Sequence, residues 1–461
     1  MSERTARPAK DILFLLASTL LIMLPALVNG FPLVFSDTGT YLLSAFEGVV
    51  PADRPYWYGG FIRLMSVYGI WPMGVVAVQA LLCALYVNTV LRTLLPSVNA
   101  RKTALAFCAI AGPFTGLGWY AGQLMPDILT PIGAMATLLL LTGERSWAER
   151  VPHVLVITAC AWCHSSNLLI LPLVGICVMT TVAGKSWRKW QAALARWSIA
   201  TVLAWGGLYF ANGIIDGKPY VSRGSHVFLM GRLIDTGMLE PLLREECPTH
   251  HWRICQHVDS LPATGRQFLW WPESPLNEMG GWDATRDEYT EVTRTSFATP
   301  GRLLRHAEAS IASTADQLTR WHLGYEIESH WYRDPGSPPA TMIAKHLPQD
   351  LAAFNGAMQQ GGRGELSLRW PNIGYRIILS LSLLVLAAWA WKRGRPGCKE
   401  EAPLVVMAIS TVLVGAWVCA SLSEVDARYL ARVGWLLPFA ATVVAVRSRS
   451  NSDENEDRAQ A

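Results

Sequence analysis

Long apolar runs separated by short polar breaks fill both ends of the chain, and one long polar interval lies between them. The runs fall at 11–30, 71–91, 103–121, 126–142, 151–163, 167–184, 197–214, 373–391, 402–421 and 430–446. Most of them reach or approach the ~17 to 25 residues that cross a hydrocarbon core of ~30 Å as helix. The pattern predicts an all-α polytopic membrane protein with about ten transmembrane helices and a mainly α domain inserted before the last three. Its parts are an N-terminal transmembrane domain at 1–214 of about seven helices with a first outer loop at 31–70, an extracytoplasmic domain at 215–372, and C-terminal transmembrane helices at 373–446. The polar tail, 447–461, is expected to be disordered. The first run follows Arg4, Arg7 and Lys10 as a signal peptide would, but it is too long for an h-region and lacks a small-residue cleavage site. It reads as a retained anchor.

Composition agrees: 51% of 461 residues are apolar, 16% are charged, and mean hydropathy is +0.25. Such a balance excludes a set of soluble domains, a disordered chain, a fibrous repeat and a disulfide miniprotein. The net charge of +4 resides largely in basic residues beside apolar runs, where it orients helices and argues for no nucleic-acid partner. Arg145 and Arg150 precede the run 151–184, and Lys185, Arg188 and Lys189 follow it. The positive-inside rule wants both groups in the cytoplasm, so this run must turn back as a hairpin at His164-Ser165-Ser166-Asn167. Arg92, Arg101, Lys102, Lys392, Arg393, Arg395 and Lys399 then also lie inside, both termini are cytoplasmic, and the interval 215–372 faces outward. A bacterial inner membrane is the expected location. Of nine cysteines, Cys247 and Cys255 are the pair in the outer domain, where an oxidising compartment favours a disulfide. Cys398 falls in a basic inner loop, and Cys160 and Cys163 form a C-x-x-C inside an apolar run with no redox or metal context.

Candidate chemistry comes from ionisable residues where apolar helices turn around, since charge at membrane depth is costly. The first outer loop carries Phe35-Ser-Asp37-Thr-Gly-Thr-Tyr41, in which Asp37 is either a helix N-cap or a functional carboxylate. After it, Tyr41 to Phe46 and Pro51 to Arg63, with Tyr56, Trp57 and Tyr58, read as amphipathic stretches lying in the interface plane. Three further outer points are Asp127 after Met125-Pro126, His164 with Asn167, and Glu424, Asp426, Arg428 and Arg432 between the last two helices. Each also has a structural explanation: Asp127 capping a helix, His164 bonding a backbone carbonyl, Glu424 pairing with Arg428 at i+4. Together they supply carboxylates, an imidazole and guanidinium groups to one face. In the outer domain, the stretches from Asp287 and from Pro300 predict consecutive amphipathic helices broken at Pro300. Trp270-Trp271-Pro272 reads as an interfacial Trp belt ahead of a sugar-stacking surface.

At these residues the chain resembles the GT-C superfamily of integral-membrane glycosyltransferases, which use polyprenyl-phosphate-linked sugars. The resemblance rests on Asp37 shortly before Tyr41, on Asp127 in a second outer turn, and on the late segment Asp426-Ala-Arg-Tyr429-Leu-Ala-Arg-Val-Gly-Trp-Leu-Leu-Pro438. It implies a sugar donor of that class, membrane lipids around the protein, and a glycan, lipid or protein acceptor. Asp37 is then the expected base, with Asp127 and His164 beside it in catalysis. Arg428 or Arg432 would hold the leaving phosphate, and Tyr41, Tyr56, Asn167, Glu424, Asp426 and Tyr429 would contact substrate. Asp37 and Asp127 together are the candidate ligands of a divalent cation, Mg2+ or Mn2+. The chain departs from many members in having Ser36 where a paired acid would stand, and in placing its outer domain before the last helices. Two rival classes remain: an acyltransferase using His164 as base, and a transporter or flippase for a lipid-linked glycan, which should bind near the bilayer midplane.

Overall fold

A computed structural model describes residues 2–95, 100–143, 145–183, 186–392 and 400–460. Lys185, Arg393, Arg395, Cys398 and Lys399, to which the sequence assigned an inner position, lie outside the described residues.

Helices occupy every apolar run. The N-terminal set is α1 (Ser2–Asn29), α2 (Thr38–Glu47), α3 (Tyr56–Met65), α4 (Met73–Leu94), α5 (Ala100–Phe114), α6 (Gly116–Ala121), α7 (Leu129–Leu141), α8 (Trp147–Cys163), α9 (Asn167–Ala183) and α10 (Trp187–Asp216). The predicted hairpin is present, with α8 and α9 turning at His164. Two expected continuous spans are broken. The run 103–121 divides at Thr115 into α5 and α6, because Pro113 and Gly116 weaken the helix there and the Thr115 side chain caps the new one.

The interval after α10 holds α11 (Ser225–Asp235), α12 (Leu239–Glu246), α13 (Gly265–Trp270), α14 (Pro275–Glu278), α15 (Gly281–Ala284), α16 (Arg286–Thr295), α17 (Pro300–Gln317), α18 (Pro338–His346) and α19 (Leu351–Asn355). The break at Pro300 is as predicted: proline begins α17 and the Thr299 side chain caps it. The interval does not make one independent unit. Residues between Val227 and Val292 have a core of their own, whereas Leu323, Ile327, Tyr332, Ile343 and Phe354 join the core of the membrane helices. Cys247 and Cys255 are disulfide-bonded beside the first of these cores.

The chain closes with α20 (Arg369–Trp391), α21 (Ala402–Leu422), α22 (Ala427–Gly434) and α23 (Leu436–Gln460). The run 430–446 is thus split between α22 and α23. The tail, expected to be disordered from 447, is helical up to Gln460. Extending a helix already nucleated by Leu436–Val446 costs far less than starting one.

Among the described residues, six helices are long and apolar enough to cross a membrane, and Pro126–Leu141 and Asn167–Val182 are shorter apolar helices. The long ones expose apolar stripes, such as Leu13, Leu16, Leu20 and Leu27 on α1 and Leu381 and Leu384 on α20, that only lipid would cover. The chain is a multi-pass α-helical membrane protein.

One end of the bundle is tied by ion pairs and arginine hydrogen bonds between helix termini. There Asp11 near the start of α1 accepts from Arg92 and Arg101, Arg145 donates to Thr93, and Arg447 donates to the Leu94 carbonyl and to Glu400. The opposite end is built differently. The segment between α1 and α2 is braced by a parallel bridge of Leu33 to Gln123, and the Gln359 side chain both donates to and accepts from the Val34 backbone. The Gln79 amide donates to the Ala121 and Gln123 carbonyls and accepts from Tyr58. Tyr41, Leu42, Tyr58 and Ile62 are core residues, so α2 and α3 each bury one face against the protein. Gly59 lets them meet, since a Cβ there would stand 2.5 Å from the Ser44 Cβ.

Candidate active site

A cavity of about 600 Å³ opens at this braced end. One wall is apolar and comes from membrane helices: Leu168 and Leu169 of α9, Trp205 and Leu208 of α10, Val418 and Leu422 of α21. The other is polar and comes from Asp37, Asp53 and Arg54 of the first loop, Asp127, His164, and Arg428 with Tyr429 on α22. Phe228, Arg266 and Trp270, from α11 and α13, roof it.

Asp37 occupies the N-cap position of α2, yet its side chain makes no capping bond. Its Oδ1 lies 2.7 Å from Arg54 Nη2 and its Oδ2 lies 3.5 Å from Arg428 Nη1. Burial alone would raise the Asp37 carboxyl, but the Arg54 and Arg428 guanidinium groups outweigh it and hold it below the usual carboxylate range. Arg428 is poorly satisfied by protein. Its guanidinium sits 4.6 Å from the Phe35 ring, and its Nε and Nη1 are buried without a hydrogen-bond partner. Orphaned guanidinium donors beside a cavity suit an anion. Arg54 lies between the rings of Phe228 and Trp270, at 5.7 and 5.6 Å. Trp270 is thus a wall of the site, and Trp271 beside it is the more exposed of the two.

Behind the cavity Arg432 is fully buried, with both Nη groups bonded and its Nε without a partner. Its Nη1 donates to Asp127 Oδ1 at 3.0 Å and to His164 Nε2 at 2.7 Å, and its Nη2 donates to Cys419 Sγ and Ser166 Oγ. Because Arg432 can only donate, His164 Nε2 accepts, which leaves the ring proton on Nδ1, 2.9 Å from Ser166 Oγ. Burial and Arg432 push the imidazole down to about 3, so it stays neutral.

The structure brings Asp37, Tyr41, Tyr56, Asp127, His164, Glu424, Arg428 and Tyr429 to one cavity. Asn167 is buried apart from it, accepting from Thr130 and donating to the Cys160 carbonyl. Asp426 caps α22 and faces Arg266. Glu424 pairs with Arg266 and not with Arg428, as the chain between them is extended and no helical i+4 geometry exists. Asp127 pairs with Arg432. Both candidate metal carboxylates are thus taken by guanidinium groups, and a divalent cation between them would face positive charge at short range. Among the described residues no cluster of three or more His, Cys, Asp or Glu forms a metal site. The donor set does not fit the cation. Asp53, Arg54 and Arg266 are site residues that the sequence reading passed over; the charged pair Asp53-Arg54 just before Pro55 was the available signal.

No family model, no curated protein and no solved structure matches this chain.

Proposed function

We propose that the protein is an integral-membrane glycosyltransferase that moves a sugar from a polyprenyl-phosphate donor to a lipid, glycan or protein acceptor. In this reading it is a GT-C-like enzyme of a bacterial inner membrane with ten crossings, both termini are cytoplasmic, and the cavity opens on the extracytoplasmic face. The carrying observation is the cavity lining, which joins apolar side chains of α9, α10 and α21 to a polar set where Arg54 and Arg428 converge on Asp37. A donor of this class has an isoprenoid chain and an anionic phosphodiester joined at one point, and the two parts of the lining match those halves. On cleavage the leaving phosphate gains a negative charge, which Arg54 and Arg428 are positioned to receive. Arg432, whose two Nη groups are already bonded, serves instead to hold Asp127 and His164.

The rival readings draw less from the geometry. An acyltransferase base needs a free imidazole nitrogen, and both of those on His164 are spent. A flippase site belongs near the bilayer midplane, whereas this cavity is reached from helix ends such as Leu422 on α21 and Asn212 on α10. The test is turnover of polyprenyl-phosphate-linked sugars by the full chain in membranes that contain its acceptor. Release of free polyprenyl phosphate that falls at least ~10-fold in Arg428→Gln supports the reading, in line with the loss of a charged hydrogen bond. Absence of release across a broad panel of donor sugars would remove it.

A further inference from the structure

We infer that Asp53, and not Asp37, accepts the proton of the acceptor hydroxyl, while Asp37 positions the two arginines that receive the phosphate. The inference rests on the glycosyl-transfer reading and divides the labour within it.

Geometry separates the two carboxylates. Asp37 has one oxygen on Arg54 at 2.7 Å and the other facing Arg428 at 3.5 Å, so both of its oxygens are engaged with cations. Protonating it would strip charge compensation from the two groups the reaction asks to hold a phosphate. Asp53 lines the same cavity. Its nearest cation, Arg54 Nη1, stands 3.9 Å away, outside hydrogen-bond range, and donates instead to the Asp53 backbone carbonyl at 2.9 Å. Among the described residues no other residue's donor hydrogen-bonds the Asp53 side-chain oxygens, which its own backbone N–H alone approaches, and this leaves room for a hydroxyl entering the cavity.

The electrostatics run the same way. Burial lifts the Asp53 carboxyl above the usual carboxylate range, with Arg54 only partly opposing it, whereas Asp37 is held below that range. Two carboxylates in one site whose environments drive them apart have distinct acid–base roles, and the one lifted towards working pH is the better base. In the step proposed, the acceptor O–H gives its proton to an Asp53 oxygen as the acceptor oxygen bonds the anomeric carbon. The bond from that carbon to the phosphate oxygen breaks, and its electron pair leaves with the polyprenyl phosphate. That group departs as a dianion facing Arg54 and Arg428, and Asp53 later returns its proton to water.

The experiment measures turnover of the polyprenyl-phosphate sugar used by the wild-type chain, together with binding of farnesyl phosphate to the full chain in detergent. Asp53→Asn should lower kcat by at least ~100-fold, the usual scale for a lost general base, with farnesyl phosphate affinity changed less than ~3-fold. Asp53→Glu should restore part of kcat. Asp37→Asn should raise the donor KM by at least ~10-fold and lower kcat by less than that, because a loosened cradle weakens binding before chemistry. Wild-type kcat in Asp53→Asn, or an Asp37→Asn variant that binds normally and does not turn over, overturns the inference. A wild-type chain inactive on every donor sugar sinks the glycosyl-transfer reading as well, so the two failures are told apart by the wild-type control.

Discussion

Arg428 and Arg432 lie one helical turn apart on α22 and differ in what surrounds them. Arg432 is closed in by Asp127, His164, Ser166 and Cys419, while Arg428 faces the cavity with donors unspent. Arg432→Leu should therefore act on folding. Leaving Asp127 buried without its cation costs ~3–5 kcal/mol, read as a lower unfolding midpoint in detergent. Arg428→Gln, which leaves Asp37 its closer partner Arg54, should instead hold that midpoint near wild type and weaken farnesyl phosphate binding ~10- to 100-fold, measured by titration. His164 adds a pH signature. An unfolded imidazole takes its proton near 6.5 and the native one only at about 3, so the native state loses ground as pH falls through that window. The slope reaches ~1.4 kcal/mol per pH unit. His164→Gln should flatten stability between those values, and an unchanged slope would assign the acid sensitivity elsewhere. Asp37, Asp127 and Arg428 were legible in the sequence because an ionisable residue between apolar runs is costly and needs a reason. Asp53 and Arg54 were not, because a stretch rich in Tyr and Trp reads equally as an interfacial helix.

At the scale of elements, the site depends on the short pieces between long helices. Gly116 opens α6 where it crosses α22, and a Cβ there would overlap the Ala431 carbonyl oxygen. Gly116→Ala should push α22 away and with it Arg428 and Arg432. The expected result is a loss of thermal stability together with loss of farnesyl phosphate binding, whereas Gly206→Ala, which meets nothing, should change neither. Apolar runs located the long helices but not all of their ends: α1 and α10 begin well before the runs 11–30 and 197–214, in polar turns that hydropathy does not mark. It could not reveal that 103–121 and 430–446 break into pairs. Those breaks are set by Pro113, Thr115 and Gly116 and by the junction at Trp435, local backbone features that a count of apolar residues does not weigh.

For the whole molecule, Asp11, Arg92, Arg101, Arg145 and Arg447 gather at one end of the bundle and the cavity opens at the other. An extracytoplasmic 215–372 interval should carry an oxidised Cys247–Cys255 pair in cells, seen by mass spectrometry after alkylation without reductant; free thiols would contradict that orientation. How this interval divides was not legible, because its roof residues Phe228, Arg266 and Trp270 reach the first loop across long sequence separations that no local pattern encodes. The proposed activity requires that Arg54 and Arg428 form the phosphate site of an isoprenoid-linked donor. The most direct measurement is a structure of the full chain in lipid nanodiscs with farnesyl phosphate. The account predicts phosphate oxygens at ~2.7–2.9 Å from guanidinium nitrogens of both arginines, with the isoprenoid chain along α9, α10 and α21. Phosphate bound at the basic end beside Arg92 and Arg101, or a cavity left without ligand at saturating concentration, would contradict it.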